Sequence, residues 1–188
     1  PEPVNHAADQ SSRKPVSMDI CTFWYGRSLR TIDAACLASM VRTGMRVKLY
    51  SYEPVDNLPA GVEAHDAAPY LSSDVFKRLD PAGVTGVAIQ QFSDIFRIML
   101  MKHGQGFWLD TDVLLLKPFT FPSDRPYVAR ESATRVGVSA MYFPPDHPVI
   151  GEFDRFIASD SILPNWLGVR RGLLRPWLHR ALGKNTYP

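Results

Sequence analysis

The sequence predicts an α/β fold built on a mostly parallel sheet flanked by helices. Three observations predict it. Short apolar runs and segments of helical period alternate along the chain in the order β-α-β-β-α-α-β-β-β-α. The first strand, helix and strand occupy about 35 residues, the length of a βαβ unit, which implies parallel pairing through a right-handed crossover. The most apolar strand, Phe107 to Leu116, is interrupted only by Asp110 and Asp112, and strand carboxyl ends are where open α/β sheets bind ligands.

Each element has a local reason. Asp19-Ile20-Cys21-Thr22-Phe23-Trp24-Tyr25 is an apolar run closed by Gly26, a buried strand and turn. Ser28 is placed to cap a helix beginning near Leu29. Leu29, Ile32, Cys36 and Met40 then recur at helical spacing, and Gly44 stops the helix. Val47 and Leu49 mark a second strand, and Gly61 to Ala64 a short third one. Ser73 is positioned to cap a helical turn through Val75 and Leu79. Pro81 to Gly86 reads as a flexible stretch able to move over a ligand. Phe92, Ile95, Phe96, Met99 and His103 then mark one face of a longer helix. His103 suits that helix's C-terminal dipole. Gly104 and Gly106 bracket the stop. Tyr127 to Arg130 and Val136 to Phe143 are two further strands. Pro144-Pro145-Asp146-His147-Pro148 starts a last helix, with a cap residue followed by an early proline. Its buried face is Val149, Ile150, Phe153, Phe156 and Ile157.

The 188 residues suit one domain with one sizeable core, and 45% hydrophobic with 21% charged residues is a globular composition. Residues 1–17 are rich in Pro, Ser and Ala without period and are expected to be a disordered lead. Residues 18–160 carry the α/β pattern, and 161–188 read as a basic helical tail. That tail holds Arg170, Arg171, Arg175, Arg180 and Lys184 and no acid from Ile162 onward. With Trp166 and Trp177 it suggests peripheral contact with a membrane through 164–184; the plain alternative is a solvated helix packing its Leu and Trp on the sheet. The net charge of +2 gives no argument for nucleic acid. Cys21 and Cys36 fall in a strand and the following helix, so two buried thiols are expected rather than a bridge. With no run of about 18 apolar residues and no signal-type apolar core, the expected compartment is cytoplasmic, with any membrane contact at the inner face.

Asp110 and Asp112 are the centre of the chemical reading. At period two both carboxylates leave a strand on one face; if the strand has just ended, a turn lets one reach a metal directly and the other through water or a hydroxyl. Hard oxygen ligands suit Mn²⁺ or Mg²⁺, which for Mg²⁺ means about six oxygens at roughly 2.1 Å. Two carboxylates cannot fill that shell, and a substrate diphosphate complements them. The plain alternative is a pair of solvated acids capping a turn. Asp94 and Arg97 stand one helical turn apart, either facing a cleft together or forming a surface pair worth about 0.2–0.5 kcal/mol. Trp24 ends the first strand, where an aromatic ring stacks on a base for about 1–3 kcal/mol or simply packs in the core. No His pair with metal spacing, Walker-type loop or Gly-x-Ser-x-Gly elbow is present.

Ser93-Asp94-x-x-Arg97, the Gly-x-Gly-aromatic turn and Leu109-Asp110-x-Asp112 with its apolar tail together resemble the DXD sugar-binding region of the GT-A glycosyltransferases. The nearest group is the family of fungal α-mannosyltransferases, lactosylceramide galactosyltransferases and bacterial capsular polysaccharide enzymes; the clostridial toxin glucosyltransferase domains share the arrangement. The resemblance covers Ile20 to about Phe156. It implies a GT-A-like, Rossmann-like fold, shortened at the C-terminus. It further implies a metal-dependent enzyme of polysaccharide biosynthesis type. Such an enzyme moves a hexose from a nucleotide-sugar donor, expected to be a UDP-sugar, to a saccharide or lipid-linked acceptor, with retention. Asp112 would ligate Mn²⁺ or Mg²⁺, and Asp110 the ribose and a metal-bound water. Asp94 and Ser93 would meet ribose or sugar hydroxyls, Arg97 the donor sugar, and Trp24 the uracil. Two departures stand out. Relatives often carry Asn where this chain has Val138-Ser139 before Ala140. Relatives also continue past the point matching Pro188 with acceptor contacts and sometimes a further metal ligand, so an incomplete acceptor site is expected.

Two other classes compete. Haloacid-dehalogenase-like phosphatases also use Asp-x-Asp after an apolar strand, but want Thr where this chain has Leu114 and place the motif on the first strand. A non-catalytic domain that binds a partner or membrane would rest on the basic tail.

Overall fold

The computed structural model describes residues 19–79, 86–120 and 122–159. The expected lead at 1–17, the stretch 81–85 and the tail at 161–188 lie outside the described residues. The element order is β1 (Ile20–Phe23), α1 (Thr31–Arg42), β2 (Val47–Ser51), β3 (Val62–Asp66), α2 (Asp74–Leu79), α3 (Gly86–Lys102), β4 (Phe107–Leu109), β5 (Tyr127–Arg130), β6 (Val136–Tyr142) and α4 (Pro148–Ala158). This is the order the periodicity predicts.

The strands form one six-stranded sheet in the order β3-β2-β1-β4-β6-β5. The pairs β1–β2, β2–β3 and β1–β4 are parallel, whereas β6 runs antiparallel to both β4 and β5. The described structure is therefore α/β with a mixed sheet flanked by helices, three strand pairs being parallel and two antiparallel. Alternate residues of each strand feed two separate cores. Cys21, Phe23, Tyr50 and Trp108 point to the face covered by α2, α3 and α4, where Phe76, Phe92, Phe96, Ile150 and Phe156 meet them. Ile20, Val47, Leu49, Phe107 and Leu109 point to the other face, under Leu37 and Met40 of α1. A strand covered on both faces must be apolar at every position, which is why these strands read as continuous runs.

The chain first builds outward from β1 to β3, then returns through α3 to place β4 on the other side of β1. The strand order reverses between β1 and β4. Such a reversal leaves a crevice at the strand carboxyl ends, because the connections there depart to opposite faces.

Four expectations need correction. Helix α1 begins at Thr31, not near Leu29, and Ser28 does not cap it; Arg30 holds the N-cap position with no side-chain cap bond. The reason lies in Asn57, whose side chain accepts from the Leu29 N–H at 2.7 Å and donates to the Leu29 carbonyl at 2.9 Å, keeping that residue out of the helix. The buried face of the helix is Asp33, Cys36, Leu37, Ser39 and Met40, and Ile32, expected on it, is 56% exposed. Strand β4 stops at Leu109 instead of running to Leu116. Its neighbours end there: β1 pairs it only to Trp108 and β6 only to Leu109. Asp110 closes a turn by accepting from the Val113 N–H at 3.1 Å, and Leu114 and Leu116 emerge exposed. His103 is exposed and stands off the buried face of α3; its N–H closes the helix on the Met99 carbonyl and its ring lies edge-on to Tyr70. At α2 the Asp74 N–H is met by the Ser72 hydroxyl at 3.2 Å, where Ser73 was expected to act.

Cys21 and Cys36 are both free and buried, as expected. Burial pushes the Cys21 thiol up to about 12. Among the described residues no helix is long and apolar enough to cross a membrane.

The turn before β4 depends on Gly106. Its φ of 137° is in the left-handed region, and a Cβ there would stand 2.1 Å from the Asp19 carbonyl oxygen, which accepts the Phe107 N–H. Gly104 also has positive φ (63°), but a Cβ there meets nothing within 4 Å. Gly106→Ala is expected to cost about 3 kcal/mol in urea denaturation, and Gly104→Ala only about 1 kcal/mol. Equal losses would mean that the close approach to Asp19 does not constrain the fold.

Candidate functional site

A cleft of about 640 Å³ opens at the carboxyl ends of β1 and β4, where the strand order reverses. All six residues singled out from sequence, Trp24, Ser93, Asp94, Arg97, Asp110 and Asp112, line it. Three elements bring them together. Phe23, the last residue of β1, and Trp24 and Tyr25 just after it form an aromatic wall. The turn after β4 carries Asp110, Thr111 and Asp112. Helix α3 contributes a polar stripe, Gln90, Ser93, Asp94 and Arg97. Those positions recur at helical spacing opposite Phe92, Ile95, Phe96 and Met99, which fill the core. One helix therefore anchors itself with one face and furnishes the cleft with the other.

Arg97 is the floor of the site. Its residue exposure is only 6%, so the Asp94–Arg97 spacing is not a surface pair. Its Nη2 meets Asp94 Oδ1 at 2.9 Å, and its Nη1 lies 2.5 Å from the Val138 carbonyl and 3.6 Å from Asp110 Oδ1. Its Nε donates to the Ser93 carbonyl at 3.3 Å, and its guanidinium carbon stands 4.9 Å from the Trp108 ring centre. Trp108 Nε1 in turn donates to Asp110 Oδ1 at 2.6 Å. One cation thus ties α3, β6 and the end of β4. Burial raises the carboxyl pKa of both Asp94 and Asp110 above the ordinary value; Arg97 pulls each back down. The Asp94–Asp110 and Asp110–Asp112 repulsions add to the upward shifts.

Asp112 is exposed and accepts no hydrogen bond from any described residue. Asp110 has one oxygen, Oδ1, engaged with Trp108 and near Arg97. Among the described residues no group of three or more His, Cys, Asp or Glu side chains is placed to hold a metal ion. Asp110 and Asp112 are hard oxygen donors, the ligand type that suits Mn²⁺ or Mg²⁺, and by themselves they leave most of a six-oxygen shell unfilled. A closed all-protein cage is not what this donor set builds.

Trp24 is half-buried, packed on the α1-side core, with its backbone N–H donating to the Tyr50 carbonyl at 2.9 Å. Its indole Nε1 is buried without a partner. Arg30 lies 6.0 Å from its ring centre. Tyr25 beside it is 40% exposed and rests on Phe76.

Sequence reasoning missed Arg30, Asp33, Ile89, Gln90 and Thr111. Asp33 is fully buried and accepts three hydrogen bonds: from Arg30 Nε at 2.6 Å, Arg30 Nη2 at 2.9 Å and Thr111 Oγ1 at 2.8 Å. Burial pushes its carboxyl up, but the Arg30 and Thr111 bonds outweigh that and hold it below its usual value. A signal was present: Asp33, Cys36, Leu37 and Met40 share one helical face, and an acid on an apolar face needs a partner. Gln90 was also legible as the next polar position before Asp94 on the α3 stripe.

No protein-family model matches the chain, and no curated protein matches it.

Removing Arg97 tests the electrostatics. Because the folded pKa values of Asp94 and Asp110 lie above the unfolded ones, charging either carboxylate costs folding free energy. That cost is complete above the folded pKa and absent below the unfolded one. Arg97→Met is expected to raise both carboxyl titrations further, read by carbon-detected NMR, and to cost about 2 kcal/mol at pH 7. The loss should shrink as the pH falls through the raised carboxyl titrations, because a protonated carboxyl no longer needs the cation. A loss independent of pH would show that Arg97 acts by packing alone.

Proposed function

We propose that this chain forms the nucleotide-sugar-binding domain of a metal-dependent glycosyltransferase of the GT-A type. It would transfer a hexose from a UDP-sugar to a saccharide or lipid-linked acceptor with retention. The observation that carries the reading is the convergence of two sequence motifs in one cleft. The Ser-Asp-x-x-Arg stripe of α3 and the Asp-x-Asp turn of β4 come from separate elements and share a single space beside an aromatic wall. That space sits at the strand reversal of a Rossmann-like sheet, a position suited to a nucleotide.

The residues divide the work by their chemistry. Trp24 and Tyr25 offer ring faces to a base. Asp94, exposed toward the cleft, is an acceptor for ribose or sugar hydroxyls, with Ser93 alongside. Asp112 has a free carboxylate and is the first candidate ligand for Mn²⁺ or Mg²⁺; Asp110 is the second, through its uncommitted oxygen. The cation would neutralise charge developing on the departing diphosphate. Arg97 is already committed to Ser93, Val138, Asp94 and Asp110, so its part is to hold both carboxylates at fixed separation and to offset part of their mutual repulsion. This refines the donor-sugar contact expected of it. The phosphatase reading is less well served, because Asp110, its nucleophile, has Oδ1 held by Trp108. The membrane reading rests on 164–184, outside the described residues.

UDP with Mn²⁺, each at about 100 times its dissociation constant, is expected to raise the melting temperature by about 5–10 °C. Asp112→Asn should abolish that rise without lowering the melting temperature of the unliganded chain. A panel of nucleoside diphosphates with Mn²⁺ and Mg²⁺ that produces no shift at all would overturn the proposal.

A further inference from the structure

We propose that Asp33 is a positioning residue for the Asp110–Asp112 turn, acting through Thr111, and that it sets the affinity of the cleft for a divalent cation. The inference rests on the donor-site reading above.

Asp33 is in the first turn of α1, where a carboxylate is favoured by the helix dipole. That favour does not require burial. The side chain nevertheless has no exposure and sits on the face otherwise made of Cys36, Leu37 and Met40. For stability alone an apolar residue of similar volume would serve there as well. What the acid adds is direction. Its Oδ1 accepts the Thr111 hydroxyl, and Thr111 is the residue between the two cleft carboxylates. With the central side chain turned inward to α1, the flanking Asp110 and Asp112 both face the cleft.

The rest of the turn is held from both sides. The Asp110 N–H donates to the Ser139 carbonyl of β6 at 2.8 Å. The Leu115 N–H donates to Ser39 Oγ of α1 at 2.9 Å, and that hydroxyl donates to the Cys36 carbonyl. Between these two anchors Asp33 supplies the hydrogen bond to Thr111. Its other partner, Arg30, is on the cleft wall with its side chain 64% exposed. One buried carboxylate therefore joins the wall at Arg30 to the turn at Thr111. A metal site with only two protein carboxylates has little redundancy, so a small drift of either one is felt directly in affinity. Groups that orient metal ligands in this way typically change affinity by about 10–100-fold when lost.

The test uses the whole chain, UDP and Mn²⁺. Thr111→Val keeps the shape and removes the hydroxyl; Asp33→Leu, of similar volume, removes the acceptor from the other side. Each is expected to raise the Mn²⁺ concentration for half-maximal binding, at fixed UDP, by about tenfold. Thr111→Ser should stay within about twofold of the unaltered chain. Mn²⁺ binding is read by electron paramagnetic resonance and UDP binding by calorimetry, with melting temperature as the separate measure of folding. If Thr111→Val lowers the melting temperature but leaves the Mn²⁺ midpoint unchanged, the tie is structural only and the inference falls. If Thr111→Ser fails to restore the midpoint, it falls as well. Absence of Mn²⁺-dependent UDP binding by the unaltered chain would instead remove the donor-site reading, and this inference with it.

Discussion

A guanidinium withdrawn from water inside α3 holds the described structure together where strands β1 and β4 end. Arg97 touches a carbonyl of its own helix, a carbonyl of β6, and carboxylates from α3 and the end of β4. A buried cation is tolerated only when its donors are met, and here carbonyl and carboxylate oxygens meet them. The constraint works in both directions. The acids Asp94 and Asp110 tolerate partial burial because the cation is present, and the cation tolerates burial because the acids are. Neither the helix, the strand end nor β6 can shift independently without exposing an unpaired charge.

A second buried ion, of opposite sign, holds the other side of the same turn. Asp33 and Arg97 lie on α1 and α3, which cover opposite faces of the sheet. Between them the segment after β4 leaves the sheet, with Asp110 tied to Arg97 and Trp108 and Thr111 tied to Asp33. Asp112 follows with no such tie. The cleft therefore presents one anchored and one free carboxylate.

Much of this was legible in the chain itself. The element order came from periodicity, because helices and strands that bury one face or two must show it in spacing. The convergence of Ser93, Asp94, Arg97, Asp110 and Asp112 was legible as paired motifs, since the α3–β4 connection is short and its glycines are fixed in place. The errors concern events across distance. Ser28 reads as a cap because nothing local reveals that Asn57, far along the chain, bonds both backbone groups of Leu29. The run Phe107–Leu116 looked like one long strand because apolarity reports burial, and the pairing that ends β4 at Leu109 depends on where β1 and β6 stop.

The sequence by itself determined the kinds of elements, their order, and the two acids placed where an apolar strand gives out. Those properties follow from local backbone preference and hydrophobic period, which short stretches carry on their own. Only the tertiary structure decided which carboxylate is restrained and which is free. It also decided that Arg97 is a buried tie, and that Thr111 in the cleft lining is bonded to the buried Asp33. The reason is physical. Electrostatic and hydrogen-bond partners are chosen by proximity in space, and Asp33 and Thr111 are 78 residues apart in the chain but 2.8 Å apart in the fold.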